Sequence, residues 1–195
     1  ILNQTYYNLK IYIRDDGSTD STIKIIKNYE SRDPRIIVLD SHVNLGCAMS
    51  FIELASKVES DIYLFCDQDD LWKEDKVERA VQSLVDCKNT PTLYHTDLDV
   101  VDSNLTDLGI SFYQLKRLNP QLGDCSSLYI ENFVVGCTIG FNRKLRDLAV
   151  SPELSVNGLA MHDWWFALVA HLFGQIKYDD YSSLLYRQHE GNQIG

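Results

Sequence analysis

Three carboxylates fall within four residues at Asp67-Gln68-Asp69-Asp70, directly after the apolar run Ile62-Tyr63-Leu64-Phe65-Cys66. The run reads as a buried strand, and carboxylates crowded at a strand end repel one another unless water or a cation screens them. A hard divalent cation such as Mg²⁺ or Mn²⁺ prefers oxygen donors, so the stretch predicts a metal–phosphate site at the carboxyl end of a strand. The plainer alternative is a solvated acidic loop capping the next helix. A second acid pair, Asp15-Asp16, follows the β-rich run Lys10 to Arg14. Gly17 there permits a tight turn, and Ser18, Thr19 and Asp20 are helix caps. A third acid, Asp163, lies in Met161-His162-Asp163-Trp164-Trp165-Phe166, at the start of a helix predicted to run to about Phe173. Ala167 and Ala170 give that helix a small-residue face, which would leave room for a ligand beside Asp163. The plainer role for Asp163 is to complement the helix dipole.

These residues must be held by regular elements, and the first hundred residues supply them in alternation. Strands are predicted at Lys10 to Arg14, Arg35 to Leu39, Ile62 to Cys66 and Thr92 to Thr96. Between them run helices starting after Ser21, from Ala48 to Val58, and from Glu74 to Cys87. In the last of these Val77, Ala80, Val81, Leu84 and Val85 repeat at spacings of three and four. Alternation of this kind predicts a parallel sheet with helices on its faces, whose ligands bind outside the carboxyl ends of the strands. Two such ends carry acid clusters. The second half is less regular. Leu105 to Leu122 reads as a loop-rich excursion. Gly136 to Phe141 reads as a strand flanked by glycines, and Gly136 and Gly140 would allow close approach of a ligand or another backbone. A short helix from Arg143 to Val150 and strands at Gln175 to Tyr178 and Ser183 to Arg187 complete the chain. No repeat or linker divides it, so one domain is expected over 1–195.

Composition narrows the chemistry. The 195 residues are 45% hydrophobic and 24% charged, as in a globular domain, and the net charge of −10 argues against a nucleic-acid surface. An acidic protein that handles phosphates needs a cation between them. The five cysteines form no C-x-x-C pair and are expected reduced, as in a cytosolic protein. No apolar run is long enough to cross a bilayer.

The acid clusters, taken with Gly136-Cys137-Thr138, Phe141-Asn142, His162-Asp163-Trp164-Trp165 and Tyr186-Arg187-Gln188-His189, resemble the family-two glycosyltransferases of GT-A fold. The later segments resemble their bacterial rhamnosyltransferase-like branch. The resemblance spans nearly the whole chain and implies an α/β domain with a mostly parallel central sheet and helices on both faces. It begins inside what would be the family's first helix, after the family's opening strand. It implies an inverting transfer from a nucleotide-diphospho-sugar donor, with rhamnose as the first candidate, to a hydroxyl on a glycan or lipid-linked acceptor in surface polysaccharide synthesis. Asp15, Asp16 and Asp67 would meet the nucleotide. Asp67, Asp69, Asp70 and His189 would hold Mg²⁺ or Mn²⁺, and Asp163 would be the general base. Gly136, Cys137, Thr138, His162, Trp164, Trp165 and Arg187 would line the acceptor and sugar. Residues 1–100 would form the nucleotide-binding half and 101–195 the acceptor-binding half. The placement implied is cytoplasmic, peripheral to the inner face of the membrane.

Two other classes compete. A nucleotidyltransferase shares the sheet and the metal-binding acids but lacks a need for Asp163, and no glycine-rich, lysine-containing phosphate loop is visible. A degenerate transferase acting as a binding module would not need intact acids at all three sites.

Overall fold

The computed structural model describes residues 1–41, 43–118, 120, 128–154 and 161–188. The expected alternation is present: β1 (Ile11–Arg14), α1 (Thr22–Glu30), β2 (Ile36–Leu39), α2 (Gly46–Lys57), β3 (Ile62–Leu64), β4 (Leu71–Trp72), α3 (Lys76–Leu84) and β5 (Thr92–Val101). There follow β6 (Asp107–Ser111), α4 (Phe112–Lys116), a 3-10 turn at Gly136–Thr138, β7 (Gly140–Asn142), α5 (Arg143–Ala149), α6 (His162–Phe173) and β8 (Gln175–Arg187). Ile1 to Gln4 form a turn closed by the Gln4 N–H on the Ile1 carbonyl at 3.1 Å, not the helix end that the sequence suggests.

β5 is the central strand, buried along nearly its whole length. β8 lies parallel to it from Thr92 to Val101, while β7 and β6 pair antiparallel with its two ends. β3 joins through β7 and β4 through β8, both antiparallel. Parallel pairing therefore holds for β1–β2 and β5–β8, and the strands contributed after Val101 enter the sheet mainly in the opposite sense. Because β3 and β5 both run antiparallel to β7, they point the same way. The acid loop after β3 thus leaves the sheet on the rim that the far half of β5 occupies.

Among the described residues β1 pairs only with β2, and β3 only with β7. Between β1 and β3 lies a groove of about 430 Å³, lined by Ile11 and Tyr12 on one side and Tyr63, Leu64 and Phe65 on the other. Phe51, Ala55 and Val58 of the α2 region also line it.

The main core lies between the sheet and α2, α5 and α6. Phe65, Phe141 and Phe166 pack there with ring centroids 4.4–5.3 Å apart. Asn142 explains part of its own motif. Its Oδ1 accepts from Leu145 N at 3.0 Å, capping α5, and from Thr92 N at 3.1 Å. Its Nδ2 donates to the Cys87 and Thr90 carbonyls.

Candidate functional site

Three of the predicted acid segments meet around the first turn of α2. The Cys47 thiol there is pushed up by burial and by the charges of Asp67, Asp163 and Asp16 together. Neither Cys47 nor its neighbourhood stands out in the sequence.

Asp67 leaves the end of β3 into a half-buried position. Burial, reinforced by the charges of Asp70, Asp69 and Asp163, pushes its carboxyl up to about 7. Asp70 is likewise raised, first by burial. The Cys137 thiol and the Arg187 N–H, which reaches its Oδ1 at 3.4 Å, partly offset this. Asp70 Oδ2 is buried with no hydrogen-bond partner. One ligand atom each from Asp67, Asp70 and Cys137 fall within 4.8 Å of one another. The expected metal set is thus partly redrawn. Asp67 and Asp70 come together, Cys137 joins them, Asp69 is not among the grouped ligands, and His189 lies outside the described residues.

Asp163 opens α6, buried, with Oδ1 accepting from Trp164 N at 2.6 Å. Burial raises it to about 6 against the lowering effect of the Trp164 and Gly136 N–H groups. His162 beside it is 2% exposed, stacked on the Phe51 ring at 4.1 Å and edge-on to Phe65 at 5.1 Å. Neither of its ring nitrogens has a hydrogen-bond partner, and burial pushes it down to about 4, so it is neutral at ordinary pH. Both side chains converge on Gly136. A Cβ built there would stand 2.9 Å from His162 Nε2 and 3.4 Å from Asp163 Oδ2. Gly136 is closely approached, but by these two side chains rather than by the ligand or backbone expected. The open face expected at Ala167 and Ala170 is not, because both alanines are fully buried in the core.

Several expected lining residues have other duties. Cys137 and Thr138 are fully buried, 0% and 1% exposed, and their side chains have partners within the protein. Cys137 turns toward the carboxylates, and the Thr138 hydroxyl donates to the Val135 carbonyl at 2.7 Å within the 3-10 turn. Trp164 and Trp165 spend their indole N–H groups on the Leu128 and Ala149 carbonyls and pack against the core rather than forming an open platform. Arg187 does reach the site, through its main chain to Asp70.

At the first acid pair, Asp15 Oδ2 accepts from Gly17 N at 3.1 Å and Ser18 N at 2.9 Å, closing the tight turn in which Gly17 takes φ +95°. Asp16 accepts from Leu45 N and Gly46 N, both at 2.8 Å, and pairs with Arg14. Burial works to raise Asp16, and these donors with Ser50 overcome it, bringing the carboxyl to about 2. Asp16 is therefore the clamp that fixes the entry to α2, and Asp15 is the freer of the pair.

One buried group escapes sequence reading altogether. Lys76 is 1% exposed in the first turn of α3, its Nζ donating to the Cys137 carbonyl at 2.9 Å and to Ser183 Oγ at 2.8 Å. The ammonium stands 4.8 Å over the Trp72 ring. Burial lowers it to about 8, so it stays protonated at neutral pH. The signal was present, since Lys76, Ala80 and Leu84 follow at spacings of four on the core face of the helix.

Solved structures of similar fold include the Staphylococcus aureus protein TarS, residues 1–349, in complex with UDP-GlcNAc (TM-score 0.64, 16% identity, 97% of this chain and 53% of that one). Another is the mannosyltransferase PcManGT of Pyrobaculum calidifontis in complex with GDP-Man and Mn²⁺ (TM-score 0.68, 14% identity, 97% and 51%). The fold is thus the α/β GT-A architecture of nucleotide-sugar transferases. The model of glycosyl transferase family 2 matches residues 1–148, and the chain belongs to that family. It is 28% identical to the dTDP-rhamnosyl transferase RfbG of Shigella flexneri, over all of this chain and 68% of that protein. It is also 33% identical over 86 residues to the putative teichuronic acid biosynthesis glycosyltransferase TuaG of Bacillus subtilis, covering 44% of this chain and 34% of TuaG. The chain spans about half the length of the matched structures and a third of TuaG. Among the described residues no helix is long and apolar enough to cross a membrane.

Proposed function

We propose that this chain holds the donor site and the base of a metal-dependent, inverting glycosyltransferase. It would move a sugar from a nucleoside-diphosphate donor to a hydroxyl of a glycan or lipid-linked acceptor in surface polysaccharide synthesis. The observation that carries this reading is the division of labour around Gly136. Asp67 and Asp70 bring oxygens together beside Cys137, and Asp163, on a separate helix, stands beside Gly136, the residue before Cys137. The name of the Shigella relative makes rhamnose on a deoxythymidine diphosphate the first donor to test. Placement at the cytoplasmic face of the membrane belongs to the same proposal and rests on the resemblance to surface-polysaccharide enzymes.

The acid pair fits a hard divalent cation. Two carboxylates supply oxygen, and Asp70 Oδ2 is buried without a protein donor. When bound, Mg²⁺ or Mn²⁺ supplies neutralisation of the charge that grows on a departing diphosphate. Asp67 and Asp70 are the residues that would hold it; the grouped Cys137, a soft thiol that burial keeps protonated, is no ligand for a hard cation. Asp163, ionised above about pH 6, takes the proton of the acceptor hydroxyl. The Trp164 N–H fixes its Oδ1, and Oδ2 is the oxygen nearer Gly136. Neutral His162 offers one donor and one acceptor to a hydroxyl beside that base. Inversion in a single displacement requires no enzyme nucleophile, and none is assigned.

Calorimetric titration with UDP, dTDP and GDP, with and without Mn²⁺, tests the reading. Binding that requires Mn²⁺ is expected, with dTDP tightest. Failure of all three nucleotides to bind in the presence of Mn²⁺ would overturn it in favour of a non-catalytic module.

A further inference from the structure

The two halves of the site share one short piece of backbone. Gly136 faces His162 and Asp163, while its neighbour Cys137 turns its sulfur toward Asp67 and Asp70. Whatever fixes the Gly136–Thr138 turn therefore fixes the base half relative to the carboxylate half. The turn has its own internal bonds, from Thr138 N and Thr138 Oγ1 to the Val135 carbonyl, and its Cys137 thiol meets Asp70. Lys76 adds a tie to the turn's main chain, at the Cys137 carbonyl.

We propose that Lys76 is a positioning residue that sets the separation between the Asp67–Asp70 pair and Asp163. Its helix begins soon after the acid loop and β4, and its ammonium lies over the Trp72 ring. Its Nζ grips the Cys137 carbonyl at 2.9 Å. The second bond, to Ser183 Oγ, binds the same ammonium to β8, and Ser183 is in turn held by Thr96 of the central strand at 2.6 Å. The Ser183 carbonyl also receives the Lys73 N–H at 3.0 Å. One buried cation thus joins the start of α3, just past the acid loop, to the 3-10 turn and, through Ser183, to two strands of the sheet. A buried lysine that bonds a carbonyl and a hydroxyl is poor value as a stabiliser, because burying a charge is costly and apolar groups of similar size often serve stability as well or better. Its retention at 1% exposure is explained by the geometry it imposes.

The inference deepens the transferase reading, and its first test does not depend on that reading. In ligand-free protein, Lys76→Met is expected to shift the backbone amide resonances of residues 135–139 and of His162 and Asp163, as well as those flanking position 76. Shifts confined to the flanks of position 76 would overturn the proposal whatever the activity. The second test separates positioning from folding. Lys76→Met should keep Mn²⁺-dependent nucleotide binding within about threefold, while kcat for donor turnover falls on the order of 100-fold, the scale expected of a displacement near 1 Å in a reacting geometry. Ser183→Ala removes one of the two bonds, leaves the lysine in place and should lose roughly tenfold in kcat. It also covers the case in which Lys76→Met does not fold. Retention of kcat within threefold in either folded variant counts against the role, as does a loss of kcat matched by an equal loss of nucleotide binding. If the unmodified chain binds no nucleotide, the transferase reading fails, and the amide shifts alone decide the role of Lys76.

Discussion

The side chains with the most unusual surroundings are carboxyls that keep their protons late, and each gives a measurable pH dependence. Burial first, and then the neighbouring charges of Asp70, Asp69 and Asp163, hold Asp67 protonated to about 7 in the folded chain, whereas an unfolded aspartate releases its proton near 3.9. Between these values the folded state binds more protons than the unfolded one, so Asp67 costs the fold increasing stability as pH rises through that window. Buried, neutral His95 and His162 act in the opposite sense up to about pH 6.5, so the wild-type melting curve alone mixes the two effects. The comparison with Asp67→Asn isolates the carboxyl. The variant should gain on wild type by roughly 5–10 °C in melting temperature between pH 4.5 and pH 7.5, and saturating Mn²⁺ should shrink that gap by stabilising the wild type. A gap independent of pH would show that Asp67 ionises normally. Asp163 makes a kinetic prediction. Donor turnover should rise through about pH 6 as the base ionises. Asp163→Asn should lose at least about 100-fold in transfer while binding nucleotide and Mn²⁺ normally. Asp70→Asn should do the reverse, weakening Mn²⁺-dependent nucleotide binding by tenfold or more, about 1.4 kcal/mol. Equal loss of binding in both variants would dissolve the assignment of separate roles.

Elements place these groups, and the most exposed join is the one Asp16 makes between β1 and α2. Asp16 accepts both Leu45 N and Gly46 N, and Gly46 starts the helix with φ +74°, a conformation that side chains with a Cβ rarely adopt. Asp16→Ala leaves those N–H groups to water and is expected to cost about 1–2 kcal/mol, read as a lower urea midpoint at unchanged slope. A changed slope would mean that the whole β1–α2 region has loosened. The alternation up to β5 was legible in the sequence because each element there carries its own period, α3 most clearly, with Val77, Ala80 and Leu84 buried as its spacing requires. Only β4 within that stretch is too short for any period. Past β5 the reading is uneven: α5, α6 and both stretches of β8 fall where the sequence places them, while the expected strand over Gly136–Phe141 splits into a 3-10 turn and the short β7. β5 continues five residues past Thr96, because Asp97, an apparent loop residue, is satisfied inside the sheet by the Leu98 and Tyr113 N–H groups. The stretch read as a loop after Leu105 contains β6 and α4, whose capping box of Ser111 and Gln114 was in plain view. At the site the acid residues were visible by type, whereas their partners were not. Cys137 reads as a lining residue rather than a neighbour of the carboxylates, and Lys76, though spaced with Ala80 and Leu84 on the core face, carries no sign of its bond to the Cys137 carbonyl; only tertiary contact supplies both.

At the scale of the molecule the telling feature is the groove between β1 and β3. The large sheet built on β5 is covered on several sides, but β1 and β2 form a two-stranded ribbon whose inner edge faces that groove of about 430 Å³. Two strands alone are marginal in water, and an open strand edge invites pairing. The ribbon nevertheless bears on the site, because Asp15 and Asp16 hang from its end, and through Asp16 it sets the first turn of α2, where the Cys47 thiol feels the charges of Asp67 and Asp163. The proposed donor side of the site therefore rests on the least supported strands. Native-state hydrogen exchange should reveal this as amides of Ile11–Arg14 and Ile36–Leu39 that open at a lower free energy than those of β5 and β8, by several kcal/mol. Equal protection of all strands would mean that the β1–β2 ribbon is held as firmly as the sheet built on β5, and that the join through Asp16 is not the weak point of the site.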